Sequence, residues 1–580
     1  MVRFILFLGL LVLTGCAGYE ALVLSTATWP DVDALHQFYH WVPRPYTEAE
    51  FRGLRLGLGG VALAGLLLAA LTGRGAGRAL GHELAGAWRG LAAGWRQLPG
   101  PGRRLAVGSL LGLTAVRAYF SVVSQPYDDA LSFEVFVRER LLAITVCYPM
   151  PNNHILTNTL SWLFYEVNPH FWWTMRLPVL LTSTGASAGW ALGLLRWSNW
   201  RVALVAVLGF GVLQVSLYHA AAGRGYWLLV GLAAVGFFAV LVLTRAPTGW
   251  GDAPAGYDRA ASLGLVLAGV LGLYTVPTFA YFLVSAYSWL GVSALRRRQG
   301  AALGRAVALA LLTLVGAGLL YAPLLLVSGP ALLFDNEYVV PVPPGQFWRE
   351  LPAYLWHSEG MLAGLRPVGA VGTLLVLAGC GVLWRRARGG TEPAGQARQL
   401  RGLGLAALWF MVLPYALVLV QRVQAPERTL FYKAQFLFVL AALLADWAWQ
   451  LAAARPRYRR LRPVLLLGAG LYVLAELGLL LRYNNLRREA WLPPHRAFEW
   501  LAGQPAGPVL APRPDIWFQL RFYAHTERIG QPWHVDYRPQ PGVHYRYVVQ
   551  PLGRAGEPGG PPLRGAPAFG NSWMNIYALY

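Results

Sequence analysis

Residues 105–129 read LAVGSLLGLTAVRAYFSVVSQPYDD, an apolar run closed by two adjacent acids, Asp128 and Asp129. A polar knot, Pro151-Asn152-Asn153-His154, follows. Carboxylates at the edge of hydrocarbon are costly unless something there uses them. The stretch therefore predicts a bundle of membrane helices with chemistry gathered at one face.

The rest of the chain extends that reading. It has 580 residues, 56% hydrophobic and only 13% charged, and its apolar runs approach the ~20 residues that a spanning helix needs. About thirteen spans are expected, near residues 4–24, 55–72, 105–124, 174–195, 201–219, 225–244, 261–275, 277–295, 304–326, 367–384, 403–421, 430–450 and 464–481. The formal charge of +22 invites a nucleic-acid partner, but its placement excludes that reading, because arginines gather in alternate connections: 74–104, 196–201, 245–259, 296–305, 385–401 and 455–462. The positive-inside rule assigns these to the cytoplasm. The N-terminus is then inside, and loops 25–54, 125–173 and 328–366, with the tail from Arg482, lie outside. Asp128 and Asp129 face the extracytoplasmic side.

Cys16, Cys147 and Cys380 fall at different depths or faces and define no disulfide framework. Leu13-Thr14-Gly15-Cys16 resembles a lipoprotein cleavage box, yet apolar residues continue past it to Leu24, as in an uncleaved first span. Three regions are expected: a two-span extension with a basic cytoplasmic connector (1–104), a transmembrane core (105–481) and an extracytoplasmic C-terminal α/β domain (482–580). In the connector Trp88, Leu91, Trp95 and Leu98 recur at helical spacing. Asp128 to Val167 is too polar to span and too apolar for a free loop, which predicts amphipathic helices on the outer face. In the tail, a helix is expected at His495–Leu501, with strands at 507–511 and 545–550. His525, His534 and His544 lack the spacing of metal ligands.

Adjacent residues on a helix diverge by about 100°, so Asp128 and Asp129 cannot serve one reacting atom. One suits a base; the other suits a cation partner or a helix cap. The plainer alternative makes both helix-start acids. Arg224, Arg428 and Lys433, near outer ends of spans, are the cation candidates, and Lys433 is the sole lysine. A compact ammonium has uses that arginine lacks; a snorkelling arginine, or Glu427 pairing with Arg428, would leave nothing for a substrate. His154 with either aspartate suits a divalent metal, while Asn152, Asn153 and His154 suit sugar hydroxyls equally. Arg117, Asp446 and Glu476 lie within spans and should face protein.

The order of these features resembles the GT-C class of membrane glycosyltransferases, in the branch of protein O-mannosyltransferases and the lipid A aminoarabinose transferase. The resemblance runs from Asp128-Asp129 through Asn152-Asn153-His154 and Arg176-Leu177-Pro178 to Arg224-Gly225-Tyr226 and Tyr274-Thr275. It covers roughly 105–480. The branch's usual Asp-Glu is here Asp-Asp, and its His-Pro-Pro is replaced by Pro151-Asn152-Asn153-His154.

The resemblance implies a polytopic α-helical enzyme of a bacterial inner membrane. It would move a hexosyl or pentosyl group from a polyprenyl-phosphate donor to a protein, lipid or glycan acceptor, with inversion and without a catalytic metal. Asp128 would be the catalytic acid residue and Asp129 its support; Asn152, Asn153, His154, Arg224, Tyr226, Tyr274, Arg428 and Lys433 would bind substrate. Two other classes fit the same spans: a lipid transporter or flippase, expected to show inverted repeats and broken helices, and a non-catalytic envelope scaffold.

Overall fold

The computed structural model describes residues 2–39, 47–124, 126, 128–245, 256–335, 338–388, 394–527, 534–552 and 565–579. The chain opens with α1 (Val2–Ser25), α2 (Trp29–Tyr39), α3 (Glu48–Thr72), α4 (Arg74–Arg96) and α5 (Gly100–Val123). Short elements follow: α6 (Asp128–Ser132), a π-turn (Phe133–Val137), α7 (Arg140–Val146) and α8 (Ile155–Val167). Then come α9 (Leu177–Trp197), α10 (Trp200–Val212), α11 (Gln214–Ala221), α12 (Tyr226–Leu243), α13 (Asp258–Thr275), α14 (Ala280–Arg296) and α15 (Gly300–Val327). The last helices are α16 (Ala331–Phe334), α17 (Pro344–Ala363), α18 (Gly369–Arg388), α19 (Ala394–Gln399), α20 (Leu405–Gln421), α21 (Lys433–Ala454), α22 (Leu461–Ala502) and α23 (Pro514–Glu527).

Among the described residues eleven helices are long and apolar enough to cross a membrane, or twelve if the bent pair α10/α11 is one span. α13, expected as a span, is helical but is not among them. Between α10 and α11 the chain turns by 69° at Leu213. The α11 backbone N–H of Gln214 is taken up by the Glu476 carboxylate at 2.6 Å, which also accepts Leu365 N–H at 2.6 Å. That buried acid serves the backbone, as an acid inside a bundle must. Asp446 likewise accepts from Arg201 and Asn199, at 2.6 and 2.8 Å. Arg117 donates to Ser183 O and Ser187 Oγ, both at 3.0 Å, and lies on the Trp227 ring.

In lipid, close packing holds helices together because the surrounding tails are as apolar as the helix faces. Glycines and aromatic rings supply that packing here: a Cβ at Gly193 would fall 2.0 Å from Phe238, and one at Gly209 would fall 2.5 Å from Phe438. The opposite surfaces stay apolar and outward, as on α3, where Leu63, Leu66, Leu67 and Leu71 are exposed. α3 begins with a capping box, Thr47 Oγ1 accepting Glu50 N–H and Glu50 Oε2 accepting Thr47 N–H.

α22 runs unbroken through Pro493 and Pro494 and carries the chain into the C-terminal domain, so the boundary expected at 482 falls inside one helix. That domain is α/β: β1 (Val509–Leu510), β2 (Val535–Asp536), β3 (Tyr547–Pro551), β4 (Phe569–Gly570) and β5 (Met574–Ala578) form one sheet in the order β2-β1-β3-β5-β4. β1 is parallel to β2 and β3, while β5 is antiparallel to β3 and β4. The sheet and α23 share a hydrophobic core with Ala130, Phe133 and Val137. The domain therefore sits on the segment that begins at Asp128.

Candidate active site

The two acids that start α6 part company. Asp129 is buried, and its Oδ2 accepts Arg176 Nε at 3.1 Å and Gly223 N–H at 3.4 Å. Arg176 Nη1 also donates to Ser121 O and Ser124 O, both at 2.7 Å. Through this arginine Asp129 ties the end of α5 to the start of α9. Asp128 instead keeps 33% of its side chain exposed and pairs with Arg224 Nη1 at 3.1 Å.

Arg224 is the hub. Its guanidinium is buried, donates to Asn152 Oδ1 as well as Asp128, and brings Nη2 to 3.0 Å from His154 Nε2. Asn152 Nδ2 turns back to Asp128 O at 3.3 Å and Ser132 Oγ at 3.2 Å, binding the polar knot to α6. His154 Nδ1 accepts Gly225 N–H at 3.0 Å. Burial, followed by the charges of Arg224 and Arg428, pushes the His154 pKa well below the ordinary imidazole value. A neutral ring that accepts at Nδ1 carries its proton on Nε2. His154 Nε2–H and Arg224 Nη2–H thus stand 3.0 Å apart, both as donors.

The glycines flanking Arg224 let this happen. A Cβ on Gly225 would come within 2.6 Å of Thr157 Oγ1 and 2.9 Å of His154 Nδ1; one on Gly223 would lie 3.1 Å from Asp129 Cβ. The Gly223-Arg224-Gly225 turn can press against α6 and His154 only without side chains at those two positions.

A cavity of about 460 Å³ opens beside Asp128, walled by α11, the end of α17, the turn at Arg428 and α22; it is lined by Asp128, His219, Arg366, Arg428, Arg482 and Arg487. Burial works against the Arg428 charge, yet Tyr226 and Asp128 raise its pKa above the usual guanidinium value. Arg487 Nε and Nη2 donate to Tyr483 Oη at 3.0 and 2.7 Å. Arg366, Arg482 and Arg487 were not among the sequence candidates. Arg482, Tyr483, Leu486 and Arg487 share a face of α22 at helical spacing, a signal hidden in what reads as the start of a separate domain.

Of the candidates, the structure gathers Asp128, Asn152, His154, Arg224, Tyr226 and Arg428 at one end of the bundle, with Tyr226 behind the others, its ring 5.1 Å from His154. Three do not join them. Asn153 is buried and bonds Ile144 O, Cys147 O and Asn158. The Tyr274 hydroxyl donates to Glu20 of α1 at 2.8 Å, deep in the protein. Lys433 is buried against Tyr415 and pairs with Glu359 at 3.2 Å. Arg428 leans on the Tyr338 ring, 5.9 Å from ring centre to Cζ, rather than pairing with Glu427. Among the described residues no three His, Cys, Asp or Glu side chains are grouped to hold a metal. Both nitrogens of His154 already face N–H groups, which makes the ring a poor metal ligand here.

The bundle of spans, the short helices beside Asp128 and the terminal sheet together make the GT-C fold. Superposed structures show this directly: ArnT from Cupriavidus metallidurans bound to undecaprenyl phosphate matches with a TM-score of 0.53 at 14% identity, over 81% of this chain and 97% of that one. The apo state of the same protein matches with a TM-score of 0.48 at 16% identity, over 72% and 85%. No family model matches the sequence, and neither does any curated protein sequence.

Proposed function

We propose that this protein is a membrane glycosyltransferase that moves a sugar from a polyprenyl-phosphate donor to an acceptor at the extracytoplasmic face, with inversion at the anomeric carbon and Asp128 as base. The observation that carries this reading is the placement of Asp128: a partly exposed carboxylate, held by a buried arginine, at the wall of an arginine-lined cavity. The fold shared with ArnT, which binds undecaprenyl phosphate, supports the donor class.

The chemistry asks for opposite charges on opposite sides of the sugar. An acceptor hydroxyl needs a base on one face, and the departing phosphate gains charge on the other and needs cations there. Asp128 supplies the first, and Arg224 and Arg428 supply the second. A phosphate oxygen taken up by Arg224 would draw the guanidinium from Asp128 and leave that carboxylate to the acceptor. The lipid tail would remain among the spans while its phosphate reaches these groups, so the carrier need not leave the bilayer. Orientation follows the arginine-rich connections, which place the N-terminus inside and the site and C-terminal domain outside, in a bacterial inner membrane.

The bent α10/α11 pair is the feature a transporter would offer. Among the described residues it has no second copy, and its break is filled by Glu476, so the enzyme reading is the better supported one.

The test is transfer of radiolabelled sugar from a panel of polyprenyl-phosphate donors, using membranes with the native chain or Asp128→Asn, with and without chelator. Transfer that vanishes in the variant and survives the chelator is expected. Loss in chelator would bring back a metal, and no transfer from any donor by the native chain would sink the reading.

A further inference from the structure

The segment that carries Asp128 does not hold itself. α6 has five residues, too few for a helix to be stable alone. It passes into a π-turn closed by Arg138 N–H on Phe133 O, and the chain then takes a left-handed conformation at Arg140, φ 74°, which a side chain of that size adopts only when its surroundings impose it. Two other regions press on this turn. From the C-terminal domain, Arg521 and His525 of α23 reach the fully buried Glu134, Nε at 3.5 Å and Nδ1 at 2.8 Å, joining Arg138 at 2.9 Å. Arg521 Nη2 also meets Glu139 at 3.4 Å. From the N-terminal extension, α2 packs Val32 and Leu35 into a core with Leu142 and Val146 of α7. At the end of α2 the Tyr39 hydroxyl donates to Val135 O in the π-turn. Its neighbour Phe38 lies under the Arg521 guanidinium, 5.1 Å from ring centre to Cζ, and meets the Trp517 ring at 6.0 Å.

We propose that Phe38 and Tyr39 are positioning residues for the reaction at Asp128: the N-terminal extension straps the Asp128–Val137 segment and docks the C-terminal domain onto it. This rests on the catalytic reading of Asp128 for its kinetic consequence, though not for its structural one. Tyr39 fixes the backbone of the π-turn. Phe38 fixes Arg521, which in turn holds Glu134 on the same turn. The extension is thereby part of the working site without touching substrate.

The experiment compares the full chain in nanodiscs with Tyr39→Phe, Phe38→Ala and Phe38→Tyr, by hydrogen–deuterium exchange and by transfer kinetics. Tyr39→Phe removes one oxygen and keeps the packing, so it answers even where Phe38→Ala does not fold. Exchange at residues 128–137 should rise in Tyr39→Phe and in Phe38→Ala, with the distant spans unchanged. In both, kcat should fall about tenfold with donor KM unaltered, as for a misplaced base. Phe38→Tyr, which keeps the ring, should restore both readouts. Native exchange at 128–137 in the first two variants would overturn the strap. Raised exchange with unaltered kcat would overturn its positioning role. A native chain that transfers nothing would overturn the catalytic reading instead, and the exchange result would still decide the strap.

Discussion

Two of the protein's acid–cation pairs, Lys433–Glu359 and Arg224–Asp128, differ in a way that shows what a site requires. Lys433 and Glu359 are 1% and 13% exposed; Tyr415 covers the ammonium, and Tyr415 and Thr373 donate to the carboxylate. Burial opposes the Glu359 charge, but Lys433 and these hydroxyls hold its carboxyl below the usual range. Every polar atom has a protein partner, and the pair is closed. Arg224 and Asp128 are 4% and 33% exposed, and the acid opens on a cavity. Among the described residues Arg224 Nε is buried without a partner. The first pair resembles a rivet; the second has capacity left for a ligand.

Breaking the open pair should have the largest effect. Arg224→Met removes the cation from the departing phosphate and the tie from Asn152, and transfer should drop by about 10²–10³-fold, as for other preorganised donors to developing charge. Initial rates at saturating donor would show it. If transfer falls less than severalfold, the guanidinium is a structural tie only.

Breaking the closed pair should cost stability and spare chemistry. Lys433→Met strands a buried carboxylate, a change worth about 3–5 kcal/mol; thermal unfolding in detergent should shift downward, while turnover per folded molecule holds. The double variant Lys433→Met, Glu359→Leu should recover most of the loss. A large fall in kcat for the folded double variant would move Lys433 into the site.

The turn that carries Arg224 offers a finer test. Gly225→Ala puts a methyl against Thr157, Thr275 and His154, overpacking that should cost about 1–3 kcal/mol. Donor affinity should weaken with it, because the Arg224 fork moves. Gly225→Ala with native affinity would mean that the turn has slack which the contacts do not show.

The smallest effect concerns pH. His154 is held neutral, its folded pKa below its unfolded one. The unfolded chain therefore binds the extra proton first as pH falls, and stability is lost as pH drops through the ordinary imidazole range toward the folded value. Melting curves from pH 7.5 to 5 should show a decline whose slope is shallower in His154→Gln. An unchanged slope would leave the proton with other groups.

These contrasts also explain what the sequence could reveal. Asp128, Asn152, His154 and Arg224 were legible because each follows an apolar run that fixes its end of the bundle, and ends that coincide bring residues together. Lys433 and Tyr274 carried the same signature, a polar residue at the end of a span. Their partners, Glu359 and Glu20, lie far away in sequence, and no local pattern reveals such a pairing. From Arg482 the composition shifts to Pro, Arg, His and aromatic residues, which marks a domain edge in sequence, yet α22 continues through it, Pro493 and Pro494 included, and so carries Arg482 and Arg487 on one helix face. The 69° bend at Leu213 was equally hidden: α10 and α11 form one apolar run. The junction of Tyr39, Glu134 and Arg521 joins three distant stretches of chain and leaves no trace in any of them.

The central claim, that Asp128 acts on the acceptor and Arg224 on the carrier phosphate, is tested most directly by measuring donor binding and sugar transfer side by side in Asp128→Asn. The account predicts donor binding near the native level and transfer reduced by at least about 10²-fold, the loss of a general base. Transfer undiminished in Asp128→Asn would contradict it.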